Sequence, residues 1–369
     1  MTTGIVWHEC YRWPEMAAPA LIAAAYGTAR SQDHHAADAK AGSRFHDLLA
    51  ESGLKGHLVA IDPRTASKDD ILRFHTPAYF DRVKQVGREP CKAGVRTVRG
   101  HDFYSVALKA AGGVIAAVEA VVTGQVDDAY ALVWPSGHQA QPHEAQGRCI
   151  FGNAVIAARH ATQAFGLAKI AFVDWAIHHG SGTETAFWND PGALVISIHQ
   201  DRLSPTDRGF VHHWGEGAGD GYNINIPLPP GSGVGAYLAA FEQIVIPALY
   251  AYAPDLIIVP SGFDSGAFDP IGRNMMTSEG FRKLTRMVKC AARDLCGGRL
   301  VFCHEGGHSW TTVPFMGLAV MEELTGLRTD VDDPFLAMAN GMAGQDLQPH
   351  QQLVIHQARE VLKRSLLRP

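Results

Sequence analysis

Two adjacent histidines, His178 and His179, stand in a short loop that reads DWAIHHGSG. The loop follows an apolar run, and its glycines, Gly180 and Gly182, let a backbone approach a ligand closely. Imidazole rings in such a position can transfer protons or bind a metal ion. Alone, the pattern is equally compatible with two hydrogen-bonded core histidines, so its interpretation depends on what other loops bring to the same place.

Three further apolar runs also end in polar residues. His138 and Gln139 end the first run, Asp264 ends the second, and His308 follows the third in the sequence EGGH. A carboxylate and an imidazole from neighbouring strand ends can share a divalent ion. Four separate polar strand ends favour a functional site over core packing.

The elements that position these residues are predicted to alternate between strands and helices, as in a parallel sheet. Helices are predicted over Ile150–Phe165, Ala236–Ala253 and Ser278–Leu295. The predicted strands read ALVWP, IAFVDW, LVISIHQ, YNINIPLPP, LIIVPSGFD and RLVFCHEGG. Because ligands bind beyond the carboxyl ends of parallel strands, four loops should converge: Pro135–His143, Asp174–Thr183, Ser261–Arg273 and His304–Trp310.

Length and composition predict one α/β domain over residues 1–369, with 46% hydrophobic and 19% charged residues. The net charge of -5 and the lack of a Lys/Arg-rich run argue against nucleic acid as a partner. No secretory signal or uninterrupted apolar window of about 18 residues is found, so a cytoplasmic location without a membrane partner is expected. Six cysteines without CxxC spacing are predicted to be reduced and to serve packing. The segment Pro90–Tyr104 is predicted to be a mobile loop.

Six motifs in a fixed order resemble the bacterial histone-deacetylase-like amidohydrolases of the arginase/deacetylase superfamily. They read PxGH, GxCIFxN, DWxxHHGxGT, GxNINxPLPPG, GFDxxxxDP and EGGxS, and they span nearly the whole chain. The resemblance implies a single doubly wound parallel sheet of eight strands, flanked by helices, with a zinc-dependent amide-hydrolysis site at the strand ends. A nucleotide-binding oxidoreductase is disfavoured because no GxGxxG lies between a strand and a helix.

The resemblance also assigns metal ligands. His178 and Asp264 occupy two of the family's three zinc-ligand positions, but Ala176 stands where the third ligand, an aspartate, is expected. A structural monovalent cation such as potassium is implied at Asp174 and Ser197, and Asp174 is also a candidate to orient His138.

Two catalytic positions differ from the family pattern. His138 matches the first of two adjacent histidines that face the water, whereas Gln139 replaces the second, the usual general acid/base. His308 replaces the tyrosine that polarises the substrate carbonyl, as in the less active class IIa deacetylases. Arg148 replaces a phenylalanine in the wall of the acyl-lysine tunnel, and the substrate pocket is assigned to Gly147, Arg148, Phe151 and Gly306.

These differences predict a weakened site. Loss of an anionic ligand at Ala176 lowers zinc affinity, and the amide of Gln139 cannot act as a base near neutral pH. The expected function is zinc-dependent hydrolysis of a small acylated amine or another amide; the alternative is a non-catalytic protein that binds acyl amides. Whether Ala176 is natural or engineered stays open. A homo-oligomer is expected because many soluble enzymes form one.

Overall fold

A computed structural model describes residues 2–12, 33–88 and 103–366. Eight parallel strands form one sheet in the order β2-β1-β3-β8-β7-β4-β5-β6. Their bounds are β1 Thr3–Val6, β2 Val59–Ile61, β3 Asp128–Ala131, β4 Ile170–Asp174, β5 Ala193–Gln200, β6 Asn223–Leu228, β7 Leu256–Gly262 and β8 Leu300–Gly306. The predicted α/β sheet of eight parallel strands is confirmed.

Helices cover both faces of this sheet. The α-helices are Asp33–Glu51, Lys68–Ile71, Pro77–Arg88, Phe103–Val122, Asn153–Phe165, Ser181–Phe187, Val234–Ala240, Ile246–Tyr252, Ser278–Cys296, Val313–Thr325, Leu336–Asn340 and Pro349–Ser365. In β4, Ile170 and Phe172 pack into one core layer, and Ala171 and Val173 pack into the other. This alternation follows from the two-residue period of a strand and explains why a strand covered on both sides has a continuous apolar sequence.

Two predicted elements differ from the structure. The strand predicted over ALVWP was misplaced: β3 ends at Ala131, and the chain then leaves the sheet towards the loop that carries His138. Pro135 has no N–H to donate to a sheet ladder. The helix predicted over Ala236–Ala253 is interrupted by a π-helical turn at Phe241–Val245, directly before the first turn of a new α-helix that contains Pro247.

The predicted loop Pro90–Tyr104 lies outside the described residues, except for its last two positions, which begin the helix Phe103–Val122. That helix and the segment Val234–Tyr252 are long and apolar enough to cross a membrane by length and composition alone. Their most apolar windows are 78% and 50% buried within the protein, respectively. Packing in the core accounts for the apolar character of the first helix.

Asp128, at the opposite end of β3 from the His138 loop, is a buried carboxyl whose removal should stabilise the fold. Burial raises its pKa to about 6, above the value of about 3.9 in an unfolded chain. The ionised group therefore destabilises the fold increasingly as the pH rises from about 4 to 6, and fully above that range. Asp128→Asn should raise the free energy of unfolding at pH 7 by about 1–3 kcal/mol.

Urea denaturation at several pH values tests this expectation. The gain should shrink to a small fraction of its size near pH 4 and vanish below about pH 3, where the carboxyl is protonated in both states. The exposed neighbour Asp127 supplies the matched control, Asp127→Asn, which should show no such gain. A gain of equal size at pH 4 and pH 7 would show that desolvation of the charge is not its cause.

Candidate functional site

The four loops predicted to converge are tied to one another by hydrogen bonds at the carboxyl end of the sheet. Each bond joins a different pair of loops: Gly182 N to His138 O at 2.9 Å, Ile177 N to Asp264 Oδ1 at 2.9 Å, Phe263 N to Gly306 O at 2.9 Å, and Gly137 N to Glu305 Oε2 at 2.7 Å. The loops after β3, β4, β7 and β8 therefore form a closed ring of contacts, and the side chains at their tips share one buried region.

His138 is held by a buried carboxylate. Its Nδ1 lies 2.8 Å from Oδ2 of Asp174, and both side chains are almost fully buried. Burial alone would lower the pKa of His138, but the charge and hydrogen bond of Asp174 outweigh it and raise the pKa to about 9. Because Asp174 fixes Nδ1 as the donor, Nε2 is the nitrogen that can exchange a proton with a ligand.

His178 and Asp264 form the second pair. Nδ1 of His178 lies 3.0 Å from Oδ2 of Asp264, while Oδ1 of Asp264 accepts from Ile177 N. Burial would raise the pKa of Asp264, but the hydrogen bond and charge of His178 hold the pKa well below its usual range. The separation of the two donor atoms is compatible with two ligands of one divalent ion. Their role as metal ligands remains a prediction.

Ala176 offers no donor atom at this point. It is fully buried, and its N donates to Oδ1 of Asp174 at 3.0 Å. A Cβ added to Gly262 would lie 2.6 Å from Cβ of Ala176 and 2.7 Å from Oδ1 of Asp264, so Ala176 lies beside the predicted ligand pair. A catalytic zinc normally has three protein ligands. The three predicted positions supply two donors and do not complete that set.

Gln139 is held against the predicted substrate pocket. Its Nε2 donates to Ser204 O at 3.2 Å, and its Oε1 lies where a Cβ of Gly147 would be. Gly147 also has φ of 60°, so both its conformation and its contact require glycine. Half-buried Arg148 follows it. Whether its guanidinium narrows the tunnel stays a prediction.

The other two predicted pocket residues lie in different surroundings. Phe151 is 1% exposed, and its ring packs in the core against His75, with ring centroids 5.3 Å apart. Gly306 ends β8 with φ of 112°, and a Cβ placed there would meet no atom within 4 Å. Gly306 therefore borders open space, whereas Phe151 is part of the core beneath the loop that carries Gly147 and Arg148.

His308 is fixed by Asp269, the second aspartate of the motif GFDxxxxDP, where the Asp-Pro pair by itself predicts only a turn. Asp269 Oδ1 accepts from Ile271 N and Gly272 N, as expected for a turn. The same carboxylate accepts from His308 N at 2.7 Å and lies 3.1 Å from Nδ1 of His308. The His308 ring meets the His178 ring edge to face, with centroids 6.3 Å apart. Asp269 therefore sets the orientation of a histidine next to the predicted ligand pair.

Asp174 and Ser197 are register partners on adjacent strands, as a shared cation site would require. The hydroxyl of Ser197 lies 2.9 Å from Nδ1 of His199, whose Nε2 lies 2.9 Å from Gly209 O. Because a carbonyl only accepts, Nε2 of His199 donates and Nδ1 accepts the Ser197 proton. The lone pairs of the Ser197 oxygen remain able to bind a cation. Burial lowers the pKa of His199 to about 3, so the neighbouring ring is neutral and does not repel that cation.

Cys149 and Glu305 join His138 in a buried cluster that the sequence did not indicate. One potential ligand atom from each of the three residues lies within 4.8 Å of the other two. Burial raises the pKa of the Cys149 thiol and of the Glu305 carboxyl. The sequence EGG predicts that Glu305 lies in a loop. No motif in the sequence relates Glu305 to Cys149, which lies more than a hundred positions earlier.

A parallel sheet whose strand ends hold a carboxylate-bound histidine beside a histidine–aspartate pair is an arrangement suited to metal-assisted hydrolysis. Comparison with known proteins agrees with that class. The family described as histone deacetylase domain matches residues 35–324. The chain belongs to this family.

Individual relatives support the assignment. The chain is 42% identical over 301 residues to a histone deacetylase-like amidohydrolase of Pseudomonas aeruginosa, which covers 81% of this chain and 79% of the relative. It is 33% identical over 332 residues to a probable deacetylase of Archaeoglobus fulgidus, covering 88% and 87% of the two chains. The crystal structure of the HDA15 HD domain superposes with a TM-score of 0.82 at 25% identity, covering 99% of this chain and 95% of the other.

Proposed function

We propose that this chain hydrolyses the amide bond of a small acylated amine, with a divalent metal ion as cofactor and low activity as the sequence stands. The observation that carries the proposal is the His138–Asp174 pair, which lies in the same ring of loops as the His178–Asp264 pair. The names of the relatives, amidohydrolase and deacetylase, support the reaction class. The net charge of -5 argues against direct contact with nucleic acid.

In this proposal each residue has a limited task. A divalent ion held by His178 and Asp264 would supply Lewis-acid polarisation of the substrate carbonyl and of water. His138, with Nδ1 tied to Asp174, exchanges a proton at Nε2. Its pKa of about 9 makes it a proton donor to the leaving amine near neutral pH, and a divalent cation close by would lower that pKa towards the range in which the ring also accepts a proton. Gln139 can donate a hydrogen bond from its amide but cannot accept and return a proton.

Two features lower the expected rate. General acid/base help contributes about 10²–10⁴-fold, and only His138 of the two adjacent positions can provide it. Loss of a donor to the developing oxyanion costs about 10²–10³-fold, and His308 is shorter than the tyrosine it replaces. A potassium-like cation at Asp174 and Ser197 would support the β4 and β5 ends without taking part in proton transfer.

A second function, binding of acyl amides without turnover, is favoured by Ala176 and Gln139. The two candidates differ in their response to zinc. Hydrolysis of N-acyl amines, measured by release of the free amine, should be slow but should increase when zinc is added. If the chain binds acyl amides but releases no amine at any zinc concentration, its function is binding and not hydrolysis.

Substitution of Asp264 and of Asp269 should have different effects, because the first residue is a predicted metal ligand and the second holds the loop. Asp264→Ala should remove zinc binding at the His178–Asp264 pair and the zinc-stimulated turnover together, because it deletes one of two donors. Asp269→Ala should keep most of the zinc affinity but lower stability and turnover, because this carboxylate holds the turn and His308. Zinc titration of both variants checks the split; equal loss of zinc from both would contradict it.

A further inference from the structure

A buried cluster outside the predicted zinc ligands contains three groups that can bind a metal ion. His138, Cys149 and Glu305 are 4%, 1% and 4% exposed, and one potential ligand atom from each lies within 4.8 Å of the others. They come from the loop after β3, the segment before the helix Asn153–Phe165, and β8. The cluster shares no residue with the His178–Asp264 pair.

We propose that His138, Cys149 and Glu305 form a second metal site that takes a thiophilic divalent cation such as Cd²⁺ or Zn²⁺. A thiolate, an imidazole and a carboxylate together are ligands of these ions, and the sulfur disfavours Mg²⁺ and Ca²⁺. With bonds of about 2.0–2.3 Å, donors around one ion lie roughly 3.5 Å apart. Since the three atoms lie within 4.8 Å of one another, they need to approach by no more than about 1.3 Å.

The cluster residues are held in place by their own contacts. Cys149 exchanges two backbone hydrogen bonds with Gln146, at 3.0 and 3.3 Å. Glu305 accepts from Gly137 N at 2.7 Å and from His138 N at 3.0 Å, and the thiol of Cys303 donates to its other oxygen at 3.3 Å. These contacts fix three donors on three chain segments before any ion arrives, which lowers the entropic cost of binding.

Occupation of this site would stop proton transfer by His138. An ion bound through either nitrogen of His138 would interfere with that transfer. The proposed function needs Nε2 free to move a proton, and it needs Nδ1 to keep its contact with Asp174. The inhibitory consequence thus rests on the proposed function, whereas the existence of the metal site does not. Ion binding must also displace the thiol proton of Cys149, so uptake releases protons.

Cadmium titration followed by the sulfur-to-cadmium charge-transfer absorption tests the site directly. The His178→Ala variant removes one donor of the predicted catalytic pair and should keep the absorption band. Cys149→Ser should lose the band. Exposed Cys290 supplies the matched control, because Cys290→Ser should keep it. Circular dichroism checks that each variant is folded.

A second variant keeps the test decisive if Cys149→Ser does not fold. Glu305→Gln removes a charged donor while leaving the thiol, and should weaken cadmium binding at least about 10-fold with the band still present. The proposal is overturned if cadmium affinity and absorption are unchanged in both variants, or if the band disappears in Cys290→Ser.

Turnover measurements keep this proposal separate from the hydrolase proposal. If both are correct, excess Cd²⁺ or Zn²⁺ inhibits amide hydrolysis in the chain as it stands, and Cys149→Ser relieves the inhibition. A chain that shows no turnover but a cadmium band dependent on Cys149 would retain the second metal site and lose the proposed function. If excess metal inhibits turnover equally in the unmodified chain and in Cys149→Ser, the proposed function is retained and the second metal site is lost.

Discussion

Replacing Ala176 with aspartate should raise the affinity of the chain for zinc by at least about 10–100-fold, the usual effect of a change in a metal ligand or its support. Ala176 lies beside Asp264, because a Cβ built on Gly262 would meet both Cβ of Ala176, at 2.6 Å, and Oδ1 of Asp264, at 2.7 Å. A carboxylate at this position would join His178 and Asp264 as the third donor. It also adds a negative charge to a buried site where a cation is the natural partner.

Competition with a chelator measures this gain, and turnover of an N-acyl amine should rise with it. The recovery of activity should be partial, because Gln139 still cannot move a proton and His308 still replaces a phenol. The control, Ala50→Asp, adds the same charge at an exposed helix position. If the chain already binds one zinc tightly and the aspartate adds nothing, another group completes the site.

The sheet was largely predictable, because buried parallel strands have continuous apolar sequences. The runs that became β4, β5, β7 and β8 show this pattern clearly, and all eight residues of β5 are buried. Strands β1 and β2 have only four and three residues, which is too short for a period to be recognised. The order of the strands depends on pairing between distant segments, and here the resemblance, not the local pattern, supplied the eight-stranded sheet.

The site was predictable where a polar residue directly ends a strand. His178 and Asp264 follow β4 and β7 within a few positions, so the topology brings them together. Cys149 was not predictable, because it reaches the cluster through an irregular loop, where it forms an isolated bridge with Gln146. Asp269 was assigned to its turn, but its second contact, with His308, depends on the approach of β7 to β8.

His138→Ala should reduce turnover by about 10²–10⁴-fold, the contribution expected from a general acid/base, when both proteins are compared at the zinc concentration that gives the unmodified chain its maximal turnover. The structure gives this residue no substitute at the neighbouring position, since Gln139 is an amide and its side chain is tied to Ser204 O. Asp174→Asn should also reduce turnover, because an amide in place of the carboxylate no longer fixes Nδ1 of His138 as the donor. The loss should appear mainly in kcat, with a smaller effect on KM.

Exposed His143, in the same loop as His138, provides the control His143→Ala, for which no comparable loss is expected. Zinc titration separates this prediction from loss of the metal site: His138→Ala should bind zinc at the His178–Asp264 pair as the unmodified chain does, whereas Asp264→Ala should not. Full turnover in His138→Ala would mean that another group moves the proton. His308 would then be the first candidate, because Asp269 holds its ring beside His178 in the same way that Asp174 holds His138.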